Sequence, residues 1–329
     1  MREFQTHDGD ISVSEMARLT AKCMSISRIT ANSVDAGKVD APAVTGQIVL
    51  SMVQPGLIAA AHRLRVNYDS KVEYEIESAL GCGILISGDP PVFDIEGHGQ
   101  VRHEAGRAVI AGNGKPVKAF THYKANQHNA MAGFYLKRDF FERFGPDVTD
   151  DGLAALRGLL NVDYQAVVLP KSRRMVEIAK RSLAHPYRGE LAELFLETNT
   201  LGFVLEAASM LKEANRIANT LGRKNYDRVV QVREIIDANL ASPPKSLDLA
   251  MQVGLNLTTL QAHFKAAYGT SIFGYIRRER LELSRAMLSD TELPVAKVGY
   301  QVGFSSPAAF TAAYRRHFGE PPTRKFPRR

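Results

Sequence analysis

The stretch VGYQVGFSSPAAFTAAYRRHFG, residues 298–319, decides how the last third of the chain folds. It holds a pivot at Gly303, a start signal in Ser305-Ser306-Pro307, and Phe310, Tyr314 and Phe318 at four-residue steps ending on Gly319. Residues four apart share one helix face. Serine caps an N-terminus, proline suits the first turn, and glycine accepts the left-handed backbone that ends a helix. The spacing predicts a helix with a nearly all-alanine polar side that finishes on Arg315 and Arg316.

The pattern occurs once before. Gly254 is followed by Leu260, Phe264, Tyr268 and Gly269, so the ladder repeats at an offset of 50 residues and the pivot at 49. The second copy therefore has one extra turn residue. Leu249-Ala250 and Val298-Gly299 set a bulky residue beside a small one upstream of each pivot, and the small one lets two helices cross closely. Asn256 is the matching cap. Helix, glycine turn and crossing helix make a helix-turn-helix, here present twice. Residues 271–288 between the copies, ~26 Å long if helical, suit two recognition helices about one DNA turn, ~34 Å, apart. A helical bundle with a repeated packing motif is the competing reading.

Charge agrees with a polyanionic partner. Residues 225–329 hold 15 Lys and Arg against 9 Asp and Glu, leaving 27 against 26 for residues 1–224. Clustered cations gain free energy by releasing counterions from phosphates. Cys23 and Cys82 are the only cysteines and have no metal-binding spacing, which argues against a disulfide framework or a zinc site. No apolar run approaches the ~20 residues of a membrane span. The polar, acid-bearing N-terminus is unlike a secretory signal, so the expected location is cytoplasmic, with no membrane partner.

Upstream, residues 1–44 give no assignment. Short β-rich runs follow at 47–53, 72–76, 83–87, 92–95, 108–111 and 130–136, cut by Gly88-Asp-Pro-Pro91 and by Gly112-Asn-Gly-Lys115, the latter read as a hairpin turn. Strands this short and close predict a small antiparallel barrel or sandwich, a shape that often holds one small ligand. Beyond Arg138 the periodicity becomes helical, over 175–183 and 191–211. The long helix is open to two readings, packing within the domain or a dimerisation face. The expected class is α+β: a β-rich sensor over 1–137, a helical connection over 138–221, a linker at 222–225, and an all-α double helix-turn-helix over 225–329.

Residues 225–329 resemble the DNA-binding domain of the AraC/XylS family of bacterial transcription regulators. Residues 246–255 resemble its first helix and turn, and Tyr275–Leu288 its linker helix. Val302-Gly-Phe-Ser-Ser306 with Phe310, Phe318-Gly319 and Pro321-Pro322 match its most specific signature. The resemblance implies double-stranded promoter DNA and RNA polymerase as partners, with activation as the expected output. It places Thr258, Gln261, Ala262, Pro307, Ala308, Thr311 and Ala312 toward base edges. Thr259, Lys265, Arg277, Ser305, Ser306, Arg315 and Arg316 go to phosphates. Many relatives carry arginine where Ala262 stands, and the second helix lacks its arginine too, so the first motif is expected to supply most direct readout through Gln261, which can pair with adenine. His263 reads as a solvated face residue.

The stretch 185–205 resembles the helical region of siderophore-responsive members of the family. That implies a small-molecule effector, a ferric siderophore, with no other cofactor. Arg63, Arg65, Arg102, Arg107, Lys115 and Lys118 are its candidate contacts with an anionic chelate. His98, His103, His122 and His128 lack close pairing and a carboxylate partner, so they read as separate histidines rather than a metal site. Gly81-Cys-Gly83 lacks the glycine and helix of a dinucleotide fold, and no catalytic motif has local support, so no enzyme is expected. A metal-binding or enzymatic β-domain fused to a DNA-binding module is the alternative.

Overall fold

The computed structural model describes residues 4–23, 26–33, 41–144, 152–290 and 293–323. The Cys23 side chain, and residues 324–329 of the expected C-terminal domain, lie outside the described residues. Two compact units follow each other, Met1–Glu213 and Ala214–Arg329.

The first unit is built on two antiparallel sheets. The larger runs in the order β1 (Phe4–Ser12), β3 (Pro42–Gln54), β4 (Leu57–Val66), β11 (His128–Leu136), β6 (Ala79–Gly88), β9 (Ala108–Asn113) and β12 (Gln165–Val168). The smaller runs β2 (Ile26–Ser33), β5 (Ser70–Ile76), β10 (Val117–Tyr123), β7 (Val92–Ile95) and β8 (Gly99–Arg102). Helix α1 (Val13–Cys23) joins β1 to β2. Among the described residues no ladder joins the edge strands of either sheet, so the architecture is an open sandwich and not the closed barrel. The segment 112–115 is not a hairpin turn: β9 pairs with β6 and β12, while β10 pairs with β5 and β7, so the chain there passes from one sheet to the other.

Alternation along the strands sorts the side chains. On β4, Leu57, Ala59 and Ala61 join one core with Phe134 and Leu136 of β11. Helices α4 (Arg173–Leu183) and α5 (Glu190–Leu221) cover that face through Met175, Ile178, Phe203 and Leu211. Phe134 meets Phe203 edge to face, centroids 5.6 Å apart. Each such fully buried side chain contributes about 1.5–3 kcal/mol. The short α2 (Arg138–Glu142) and α3 (Gly152–Gly158) pack into the same core through Phe140, Phe141 and Leu156. The segment expected as a helical connection thus contributes a strand and much of the core to the first unit. The opposite face of β4, with Ile58, Ala60, His62 and Leu64, looks into the space between the sheets.

The second unit holds α6 (Arg223–Ala238), α7 (Ser246–Gln252), α8 (Leu257–Tyr268), α9 (Ile272–Asp290), α10 (Val295–Gln301) and α11 (Pro307–Phe318). The expected linker at 222–225 contracts to Gly222, whose φ of 79° breaks the path between α5 and α6, and Arg223 is already helical. Two small cores form: Leu249, Leu260 and Phe264 pack with Val229 and Val232 of α6, while Val298, Phe310 and Tyr314 pack with Leu281 and Leu288 of α9.

Candidate nucleic-acid interface and an internal cavity

The two sequence repeats fold alike. After α7, Leu255 N–H donates to Ala250 O at 2.9 Å; after α10, Phe304 N–H donates to Gly299 O at 3.0 Å. The pivots Gly254 and Gly303 sit at φ 64° and 95°, where a side chain is strained. Asn256 Oδ1 accepts from Thr259 N–H at 2.7 Å and Ser306 Oγ from Ala309 N–H at 3.2 Å, opening α8 and α11. A Cβ at Gly299 would come within 2.9 Å of the Phe310 ring, so the close crossing of α10 and α11 depends on that residue.

On α8, Thr258, Gln261, Ala262 and Lys265 are exposed and Thr259 is half-buried at the cap. On α11, Pro307, Ala308, Thr311, Ala312, Arg315 and Arg316 line one shallow depression. Ser305 is exposed beside the half-buried Ser306, and Arg277 lies half-buried on α9. Each expected DNA-facing group therefore has at least part of its surface in solvent. His263 is half-buried, with part of its ring in solvent and its Nδ1 out of contact with it and without a hydrogen-bond partner.

Arg280 of α9 ties the two motifs together. Its Nη1 donates to Gly303 O at 2.7 Å, its Nε to Leu240 O at 2.9 Å and its Nη2 to Ala241 O at 3.0 Å. Sequence reasoning passed over this arginine, because three carbonyl partners from distant turns leave no local pattern. His317 Nε2 and Glu282 Oε1 lie 3.1 Å apart, anchoring the end of α11 on α9.

In the first unit a cavity of about 350 Å³ lies between the sheets, closed in part by Val13, Met16 and Thr20 of α1. Its walls are largely aliphatic, with Phe93, Tyr74, Tyr123, Tyr135 and Tyr164 adding aromatic surface. Polar groups are few. His62 Nε2 donates to Asn129 Oδ1 at 3.0 Å, and the Tyr74 and Tyr123 hydroxyls are 3.3 Å apart. His103 is 8% exposed, and its Nδ1 has no hydrogen-bond partner. Burial, then the neighbouring His62, lowers the His103 pKa to about 4; burial also lowers that of His62, against the bond to Asn129. Both rings are therefore neutral at pH 7. Burial, reinforced by Tyr123, raises the pKa values of Tyr74 and Tyr135, the latter to about 12.

None of the six cations expected to hold an anionic chelate lines this cavity. Arg63 and Arg65 alternate with His62 and Leu64 and so point to the other side of β4. Arg107 is buried but paired with Glu104 at 3.0 Å, Lys115 reaches Asp163 at 2.8 Å, and Lys118 lies 3.8 Å from Glu73. Arg102 is exposed. His98, His122 and His128 do not join His103, and among the described residues no three His, Cys, Asp or Glu side chains are grouped to hold a metal. His62 escaped notice in the sequence because its strand did; the alternation of Ile58, Ala60, His62 and Leu64 against Arg63 and Arg65 was the available signal.

Residues 45–221 match the family model described as the regulatory protein PchR N-terminal domain, and residues 249–327 match a helix-turn-helix domain. Over 135 residues the chain is 30% identical to the regulatory protein PchR of Pseudomonas aeruginosa, covering 40% of this chain and 46% of that one. Over 145 residues it is 26% identical to the transcriptional regulator ExsA of the same species, covering 44% and 50%. An AraC-type transcriptional regulator structure from Chromobacterium violaceum aligns at 30% identity and a TM-score of 0.28, over 29% of this chain and 86% of that one. The chain spans about half the length of these two curated relatives. These matches are to transcriptional regulators and not to enzymes. Among the described residues no helix is long and apolar enough to cross a membrane.

Proposed function

Because the chain belongs to the AraC-type regulators that join a PchR N-terminal domain to a helix-turn-helix domain, we propose that it binds promoter DNA through α8 and α11. Its first unit, in this reading, holds a small-molecule effector between its sheets. The observation that carries the proposal is the pair of equivalently capped helices, α8 and α11, whose solvent faces hold Thr258, Gln261, Thr311, Arg315 and Arg316. Gln261 is the group suited to pair with a base, while Arg315, Arg316 and Lys265 suit phosphate. The α11 face offers methyl contact and close approach, so it positions the protein more than it specifies sequence.

The effector acts by binding one arrangement of the protein more tightly than the other. A ferric siderophore as effector, with iron-uptake genes as targets and RNA polymerase recruited for activation, is the finer reading, supported by the PchR-type N-terminal match. Among the described residues the cavity wall carries no cation for an anionic chelate, which favours an uncharged complex as the effector seated there. Leu191, Leu194 and Leu205 are 61%, 59% and 67% exposed along α5. This row favours a homodimer through that helix.

The test is fluorescence anisotropy on DNA upstream of the gene, with scrambled competitor, at two salt concentrations and with or without ferric siderophores. Preference for the promoter that shifts with one siderophore is expected. Salt-sensitive binding with no preference among sequences selected from the whole genome would overturn specific regulation.

A further inference from the structure

The cavity between the sheets is described by what lines it and by what does not. Among the described residues no Lys, Arg, Asp or Glu side chain contributes to its wall. An ionised ligand there would lose its hydration with no countercharge, and a charge buried without a partner is strongly disfavoured. At about 350 Å³ the space falls within the range of small-molecule sites. Its aromatic lining is ordered: Phe93 stands edge-on to Tyr74 and to His103, with centroids 6.1 and 6.0 Å away. Rings that meet edge to face leave flat surface for a further ring.

One polar atom in this setting is unanswered. His103 Nδ1 is buried and unpartnered, whereas His62 is satisfied by Asn129 and the Tyr74 and Tyr123 hydroxyls face each other. A buried polar atom without a partner is disfavoured, and native structures rarely keep one unless something else binds it. The imidazole is more than nine-tenths buried and stands in the cavity wall. Gly83 opposite leaves it room, since a Cβ there would lie 3.6 Å from His103 Cε1.

We infer that the cavity takes an uncharged, ring-bearing, mostly apolar molecule with a hydroxyl group, and that the His103 imidazole, which has no side-chain hydrogen-bond partner, bonds that hydroxyl and selects for it. The inference rests on the reading of this cavity as the effector site and names the ligand class it admits. A hydroxyl both donates and accepts, so it satisfies the neutral imidazole in either tautomer. His103 is thus the residue that orients the ligand, and the aliphatic and aromatic wall supplies most of the affinity.

The experiment uses the full chain and three matched probes followed by their own fluorescence at neutral pH: 2-naphthol, 2-methoxynaphthalene and 2-naphthoate. The naphthol is expected to bind, the methyl ether about tenfold more weakly, and the carboxylate not at all. Ala60→Phe, which fills the space, should abolish binding of all three. His103→Phe should bring naphthol down to the affinity of the ether and leave the ether unchanged, with DNA anisotropy and thermal melting confirming that the variant folds. Naphthoate binding as tightly as naphthol, or His103→Phe keeping the tenfold preference, would overturn the inference while leaving the cavity a ligand site. Failure of every probe to bind the wild-type protein would overturn the effector-site reading itself.

Discussion

Arg280 donates from Nη1 to the carbonyl of Gly303 at 2.7 Å, and this bond joins the linker helix α9 to the turn of the second helix-turn-helix. The same guanidinium holds Leu240 and Ala241, which follow α6 and precede the first motif. A Cβ at position 303 would lie 2.3 Å from Ala241 O and 2.8 Å from the Arg280 guanidinium carbon. One side chain therefore holds two turns at once, the one after α6 and the one between α10 and α11.

Arg280→Ala leaves three carbonyls without their donor. Hydrogen bonds to charged groups contribute about 1.5–3 kcal/mol each, and water answers part of the loss at a half-exposed site, so the unit should lose about 2–4 kcal/mol in urea denaturation. Affinity for DNA containing both half-sites should fall more than affinity for either half alone.

Gln261→Ala should relax sequence preference at one base pair, at a cost of about 1–3 kcal/mol. Arg315→Ala should weaken all sequences alike and reduce the salt slope of binding by about one. Competition titrations with single-base operator variants separate the two. Equal effects of Gln261→Ala and Thr311→Ala on sequence preference would sink the division of labour between the helices.

The caps provide a check on the repeat itself. Asn256→Ala and Ser306→Ala each remove one side-chain acceptor from a helix start, and each should cost about 1 kcal/mol. The two caps open helices that pack into separate cores, so in the double variant the losses should add.

His103 titrates in the folded state at about 4, below the 6.5 of an exposed ring. Between these values the unfolded chain takes up a proton that the folded chain refuses. Stability is therefore complete above pH 6.5 and is lost as pH falls toward 4, with a slope of up to about 1.4 kcal/mol per pH unit. The lowered pKa of His62 acts in the same direction. Melting temperatures across this range should fall less steeply for His103→Phe than for the wild type.

Leu194→Glu tests the exposed row on α5. Light scattering should find a dimer for the wild type and a monomer for the variant, with melting temperature at infinite dilution unchanged. A wild-type monomer at every concentration would remove the dimerisation reading.

The helix-turn-helix repeat was legible because its signals are local. Gly254, Asn256 and Gly269, like Gly303, Ser306 and Gly319, mark turns and ends by backbone chemistry that neighbours cannot easily override. The sandwich was legible only in part. β4 went unread because Leu57-Ile-Ala-Ala-Ala61 has no period-two contrast, both its faces being apolar and buried. The turn at 112–115 was recognised as a turn, but which sheet the next strand joins depends on partners far along the chain. Histidines and cations were visible as residues, yet their roles follow from which side of a strand they occupy.

Strand β11 has a residue on each side of a boundary. Tyr135 faces the cavity, and Phe134, next to it in the chain, packs on Phe203 of α5. The wall between a bound molecule and α5 is thus a single strand thick. On the proposed reading, a ligand that displaced Tyr135 would press, through one peptide unit, on α5 (Glu190–Leu221). Within the first unit, the partition beside the cavity would thus also serve as a diaphragm.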